Sequence, residues 1–405
     1  MKATRQFTKE YNLRLILKTF FEHGEMSRAD IARATGLTKA TVSELVNGLI
    51  QDGLVSESRY TEANVGKPAL LLQIERDGRH LLCADLANQE FQGAVANLRG
   101  EFLHRVNLPR EGKVGQAAID LVYQLLDALL EKTEQKILGI GIGTPGLIDT
   151  TRGFVQYAVN MEWQDVPLGE LLKARYGLPV QLANDSQIAA LAETQFGDCP
   201  PHTSLVSIKL GRGIGAGIVL NGQLFQGDGF GAGEIGHLRV VENGLLCRCG
   251  HYGCLETVAT SRAVISQAKV LAAANPQSML NQCPPAALDL VQIQRAYAAH
   301  DPLATELVNQ AGQALGMVIG YLIGILNSQT ILLSGDMTEF GEPWLQVVRQ
   351  RAYESTLTAL ATPTKIEFSC LNQNEVLKGA SALLLARELG ISPMPAGNLR
   401  NGGAE

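Results

Sequence analysis

Residues 234–256 read EIGHLRVVENGLLCRCGHYGCLE and place three of the chain's seven cysteines within eight positions, beside two histidines. Cys247 and Cys249 are one residue apart and Cys254 follows five later, with Gly250 and Gly253 free to turn the chain between them. Such spacing demands a tight loop that aims three sulfurs at one point. Three thiolates and an imidazole form a tetrahedral zinc ligand set. His237, ten residues before Cys247, is the natural fourth ligand, and His251 inside the loop competes for the place. Charged Arg248 and Glu242 make the stretch a poor apolar core, so the cysteines read as metal ligands in a reducing compartment.

The length of 405 residues points to two or three domains, and a hydrophobic content of 46% supplies sizeable cores. The longest apolar run, residues 315–326, contains three glycines and falls short of the ~18–20 residues of a membrane span, so it reads as a core helix. The opening MKATRQFTKEYN has no apolar leader, and a cytoplasmic protein with no membrane partner is expected. A net charge of −6 argues against nucleic acid for the chain as a whole. The first forty residues, however, hold eight basic and four acidic side chains, and phosphate neutralisation needs local rather than global charge.

That basic segment has the pattern of a DNA-binding module. Leu13, Leu17, Phe20 and Phe21 fall at helical spacing before Gly24. Ser27 with Asp30 is a near capping box for a second helix that Gly36 ends, and Thr38 caps a third with Val42, Leu45, Val46 and Leu49 inward. Helix, glycine turn, helix is the helix-turn-helix plan, whose second helix enters the major groove by its N-terminal end. LVSESRY and ALLLQIE then read as two strands of a wing, with Lys67 near its tip. Residues 1–78 are therefore expected to be a winged helix-turn-helix domain contacting double-stranded DNA through Thr38, Lys39, Ser43, Asn47 and Lys67.

From His80 onward strands and helices alternate in an α/β pattern. LLCADL, GAVANL and FLHRVNL form a meander, followed by an amphipathic helix and the buried strand ILGIGIG. A second strand-rich opening at Ser204 suggests a duplicated architecture of two lobes with a cleft between them. The expected division is residues 79–200 for the first lobe, completed by a C-terminal helix at about 371–390, and 201–370 for the second. Residues 391–405 have linker composition and predict disorder.

Asn184 and Asp185 close the strand VQLAND where a helix begins, the place where open α/β lobes present ligand contacts. An amide beside a carboxylate suits a polyhydroxylated ligand. Asp185 has the chemistry of a general base toward a hydroxyl, and equally that of a helix cap. Glu234 and Glu256 bracket the metal loop, which would hold both carboxylates in place. The run 211–217, GRGIGAG, offers backbone N–H groups to phosphates but lacks a P-loop lysine and suits a hairpin equally well.

The order helix-turn-helix, GIGTPGLID, LANDSQIAALAE, GRGIGAG, GEIGH, CRCGHYGCLE and LLSGD resembles the ROK (repressor, open reading frame, kinase) family of the actin-like sugar-kinase superfamily. The resemblance runs over about residues 11–390. It implies a winged helix-turn-helix followed by a two-lobed actin-like (ribonuclease H-like) sugar-kinase fold. It also implies structural Zn2+ on His237, Cys247, Cys249 and Cys254, and a sugar on Asn184, Asp185, Glu234, His237 and Glu256. The sequence departs from the family's kinases where their first lobe turns with glycines against ATP phosphates: here the stretch is Asp85-Leu86-Ala87-Asn88-Gln89. Arg212 stands where a small hydroxyl residue is common, and Ser334-Gly335-Asp336 replaces a Gly-Gly pair. ATP and Mg2+ are therefore not expected. The resemblance implies a sugar-responsive repressor of carbohydrate-metabolism genes, a homodimer or tetramer on a palindromic operator. The alternative is an ATP-dependent ROK sugar kinase with an accessory DNA-binding domain, in which Asp185 would be catalytic.

Overall fold

Capping chemistry sets the N-terminal module in the computed structural model, which describes residues 5–60, 68–87, 89–199 and 204–391. Ser27 and Asp30 form a reciprocal capping box that starts the helix Arg28–Thr35, and Gly36 ends it in the left-handed region at φ 70°. Thr38 caps Lys39–Gln51 by accepting the Thr41 N–H, and Val42, Leu45, Val46 and Leu49 are its buried face. The first helix, Arg5–His23, begins well before the apolar pattern at Leu13. The wing strands Val55–Tyr60 and Leu70–Ile74 pair antiparallel, and the two-residue strand Met26–Ser27 adds to the far edge of Leu70–Ile74. Lys67 and the wing tip at 61–67, Asn88, and the tail from 392 lie outside the described residues. Ile391, assigned to the tail from composition, is 2% exposed, and its N–H donates to the Leu385 carbonyl.

The chain forms two compact units, residues 1–185 with 376–405 and residues 186–375. The first unit carries the helix-turn-helix module and a five-stranded sheet in the order Val180–Asn184, Ile137–Thr144, His80–Asp85, Glu90–Asn97, Phe102–Pro109. His80–Asp85 is buried along its whole length because it is flanked on both sides, parallel to Ile137–Thr144 and antiparallel to Glu90–Asn97. The helix Gly115–Leu130 packs Ala118, Ile119, Val122, Leu125, Leu126 and Leu129 into the same core as Leu82, Val95 and Ile140.

The second unit repeats this topology. Its sheet runs Gln223–Phe225, Ile214–Leu220, Leu205–Leu210, Thr330–Ser334, Lys365–Phe368, again a meander of three strands followed by two parallel ones. The doubled arrangement is the one implied by the two similar strand-rich openings of the sequence. The helix Asp185–Phe196, placed with the first lobe from the sequence, clusters from Ser186 onward with the second unit. Its Gln187 amide donates to the carbonyls of Phe230 and Ala232 at 2.9 and 3.2 Å, contacts forty residues away that no local pattern announces. The helix Pro302–Leu326 is long and apolar enough to cross a membrane, yet Leu315, Val318, Ile319 and Ile323 are buried in this unit's core. Its glycines lie against Gly341–Glu354: a Cβ at Gly316 would meet the Val348 carbonyl at 2.5 Å.

Candidate metal centre and effector site

The metal loop is built from backbone hydrogen bonds rather than regular structure. Val240 and Val241 both donate to the Gly253 carbonyl, Gly253 donates to Leu245, and Cys247 donates to His251 at 2.7 Å. The path allows no side chain at Gly253, where φ is +74° and a Cβ would stand 1.8 Å from the Val241 oxygen. This fold gathers His237, Cys247, Cys249 and Cys254 so that one ligand atom from each lies within 4.8 Å of the others. The His237 Nδ1 to Cys247 Sγ distance is 3.6 Å and the Cys249 Sγ to Cys254 Sγ distance is 3.7 Å. A tetrahedron with Zn–S bonds of about 2.3 Å and Zn–N bonds of about 2.0 Å has S···N and S···S edges of about 3.5 and 3.8 Å, which these two distances match. His251 Nδ1 also lies 3.6 Å from Cys249 Sγ, but His251 is not one of the four that converge.

The thiols are unequal in ways a cation resolves. Burial raises the Cys254 thiol to about 12, and Cys249 next to it adds to the effect. At Cys249 burial also opposes ionisation, but the His251 N–H, the His251 ring and the neighbouring sulfurs outweigh it and bring that thiol down to about 6. Three thiolates at these separations need a divalent cation among them. With four protein ligands such a site is closed, so its chemistry is positional.

His237 turns its two nitrogens to different tasks. Nδ1 faces Cys247, while Nε2 lies 4.0 Å from Glu234 Oε2, and both side chains are more than a third exposed at 37% and 38%. A metal-bound imidazole aligned by a carboxylate is the usual outer arrangement of such sites. Nε2 is also open to a ligand hydroxyl. Glu256 follows the loop at the start of the helix Glu256–Ala259, and its Oε1 accepts the Ile214 N–H at 2.8 Å. Two glycines make room for it: a Cβ at Gly213 would stand 2.8 Å from Oε1, and one at Gly236 would stand 2.8 Å from Cγ. Gly236 is also pressed by backbone, since a Cβ there would stand 2.3 Å from the Ile214 carbonyl oxygen.

In the first unit, Asn184 ends its strand opposite Thr144 and donates from Nδ2 to the Gly146 carbonyl at 3.0 Å. The loop after ILGIGIG is therefore anchored by a predicted site residue. Asp185 opens the helix Asp185–Phe196, and both Asn184 and Asp185 are buried. Thr144 is fully buried and its hydroxyl has no hydrogen-bond partner among the described residues. In the Asp85 turn, Oδ1 accepts the Ala87 N–H at 2.8 Å and Leu86 is fully buried. The Asp85 carboxylate thus closes its own turn. The run 211–217 resolves as a hairpin: the turn at 211–213 joins Leu205–Leu210 to Ile214–Leu220 in continuous antiparallel register.

On the recognition helix, Lys39 and Asn47 are exposed and Ser43 is half-buried. The Thr38 side chain, 2.9 Å from the Thr41 hydroxyl, is occupied as a cap, and Asn47 Oδ1 accepts from Arg28 at 3.1 Å. Arg28 thereby joins this face, a residue the helical pattern alone did not mark.

The ROK family profile matches residues 81–387, and the IclR helix-turn-helix domain profile matches residues 15–59. The xylose repressor of Caldicellulosiruptor bescii is 30% identical over 389 residues, covering 93% of this chain and 96% of the repressor. Among solved structures, a ROK family transcriptional regulator described as a homologue of the Escherichia coli MLC protein superposes with a TM-score of 0.84 at 28% identity, covering 95% of this chain and 98% of that one. A ROK family glucokinase from Streptomyces griseus, in complex with glucose and AMPPNP, superposes with a TM-score of 0.68 at 27% identity, covering 98% of the kinase but 75% of this chain.

Proposed function

The chain belongs to the ROK family and carries an IclR-type helix-turn-helix domain ahead of the family's actin-like fold, and from this premise we propose that it is a sugar-responsive transcriptional repressor. The observation that carries the reading is the pairing, in one chain, of a helix-turn-helix module with the complete ROK body along nearly the full length of a xylose repressor. The sugar is held by Asn184, Asp185, Glu234, His237 and Glu256. Structural zinc on His237, Cys247, Cys249 and Cys254 cross-links the loop and thereby sets the position of His237. Operator DNA is contacted by Thr38, Lys39, Ser43, Asn47 and Lys67, with the protein acting in the cytoplasm as a dimer or a pair of dimers. Sugar binding shifts the population between a form that spans two half-sites, about 34 Å apart for one helical turn, and a form that does not.

The domains we assign are residues 1–78 for DNA, 79–185 with the C-terminal helix for the first lobe, and 186–375 for the second. Kinase activity is absent in this reading, and the self-capped Asp85 turn supports that. An ATP-dependent sugar kinase with an accessory DNA-binding domain is the second reading, favoured by the buried Asp185 and the likeness to a glucokinase. A coupled assay with ATP and a panel of hexoses decides between them: sustained turnover selects the kinase, and its absence beside sugar-dependent operator binding selects the repressor.

A further inference from the structure

Arg28 and Asn47 meet on the face of the helix-turn-helix module that carries Lys39 and Ser43. Arg28 is the first residue of the helix Arg28–Thr35, while Lys39, Ser43 and Asn47 follow one another at i, i+4 and i+8 along the recognition helix and form one stripe. Arg28 Nη2 donates to Asn47 Oδ1 at 3.1 Å. The contact fixes more than a distance. A guanidinium has donors and no acceptor, so the amide can face it only with its oxygen, and the Asn47 Nδ2 group is turned away with both its hydrogens. Asn47 is exposed, and Nδ2 has no partner among the described residues. Other arginines of the module are paired with carboxylates, Arg33 with Asp30 and Arg59 with Glu25. Arg28 is held instead by a neutral amide and keeps its charge for a ligand.

Arg28 and Asn47 together therefore present a donor-only edge. Adenine shows the major groove an N7 acceptor beside an N6 amino donor, and asparagine reads it bidentately only when Oδ1 is available to accept. Here the N6 amino group would approach an oxygen that already accepts from a cation, and its hydrogens would face those of Arg28. Guanine shows two acceptors, N7 and O6, which match the Asn47 Nδ2 hydrogens and the remaining guanidinium N–H groups. We propose that Arg28 is a positioning residue for DNA readout: it orients the Asn47 amide and thereby directs this part of the recognition helix to a G·C pair rather than an A·T pair. The inference rests on the DNA-binding reading and deepens it, since that reading gives Asn47 a contact with DNA but no base, and gives Arg28 no role.

The test is a base-substitution scan, by fluorescence anisotropy, of a duplex that the full-length protein selects from a random pool. Asn47 is exposed, so Asn47→Ala leaves the core intact and locates the base pair this side chain reads, as the one whose selectivity falls. At that pair the wild type should bind G·C about tenfold or more tightly than A·T, the value of one good bidentate contact. Arg28→Met keeps the apolar stem, removes the donors and frees the amide to turn, so the ratio there should fall to within about threefold of one while selectivity at other pairs is kept. In the Asn47→Ala background the same substitution should change the ratio little further, because its effect runs through the amide. Arg28 is half-buried, so melting temperature monitors that variant, and the wild-type ratio tests the claim by itself. The inference is overturned if no pair loses selectivity in Asn47→Ala, if the wild type prefers A·T at the located pair, or if Arg28→Met leaves the ratio unchanged. A loss in Arg28→Met spread evenly over every pair, with the salt slope reduced by about one phosphate's share, also overturns it and makes Arg28 a backbone contact. Failure of the wild type to select any duplex overturns the DNA-binding reading itself, and this inference with it.

Discussion

Glu256 holds the Ile214 N–H and, in the proposed function, a sugar hydroxyl, and substitution can separate the two. Its Oε1 accepts the Ile214 N–H at 2.8 Å, and Ile214 is only 4% exposed, so Glu256→Ala leaves a buried donor without its partner. A hydrogen bond to a charged acceptor contributes ~1.5–3 kcal/mol, and a buried donor left without one costs a similar amount. For a unit of this size each kcal/mol moves the melting temperature by about 2–4 °C, so Glu256→Ala should melt about 3–12 °C below wild type without ligand. Glu256→Gln keeps an oxygen at the same reach and should stay within about 1 kcal/mol of wild type. Both variants lose the negative charge offered to the effector's hydroxyls, which should weaken effector binding by about tenfold or more in calorimetry. Differential scanning calorimetry of the two variants tests the structural half. If the alanine variant melts with wild type, or the glutamine variant falls as far as the alanine variant, the assignment of Oε1 to Ile214 is wrong.

Three further outcomes follow from other parts of the structure. Cys249→Ser removes one of four converging ligands, and atomic spectroscopy should find zinc falling well below one per chain; full metal content in the variant would refute the ligand set. Lys39→Ala, at an exposed position on the recognition helix, should lower the salt dependence of DNA binding by about one phosphate's share, a slope change of roughly 0.9, and an unchanged slope would remove Lys39 from the interface. Burial, with the Ser369 hydroxyl opposing and the charges of Glu375 and Asp198 adding, raises Glu193 from 4.5 to about 7. The native state then binds more protons than the unfolded chain between those values. The resulting stability is full below pH 4.5 and is lost as the pH rises through 7, an effect of about 3 kcal/mol at most. Urea unfolding at pH 5.5 and 8 should show this slope in wild type and a flatter one in Glu193→Gln, and identical slopes would contradict the assignment.

Local chemistry made much of this fold legible. Ser27, Asp30 and Thr38 cap the helices their side chains announce, because a cap needs only the residues three positions on. Alternating and continuous apolar runs located most strands of the two five-stranded sheets to within a few residues, the short edge strand Gln223–Phe225 excepted, and cysteine spacing located the metal loop. What stayed hidden was long-range. Gln187 reaches carbonyls at 230 and 232, and the helix that carries it clusters from Ser186 onward with the second unit although it follows the first in sequence. Arg212 and Arg262 are fifty residues apart, and only the fold gives them a shared cavity. The start of the first helix was missed for the opposite reason, since residues 5–12 contain little apolar pattern to mark them.

The central claim, that one chain couples a sugar-type effector to DNA, is tested most directly by fluorescence anisotropy on a labelled duplex selected by the protein from a random pool. Titrating the monosaccharides and their phosphate esters into the complex should change the DNA Kd by at least about tenfold for one ligand, a coupling of ~1.4 kcal/mol, with release the expected direction. A Kd that no sugar or ester moves, measured on zinc-replete protein that binds the duplex tightly, would contradict the account.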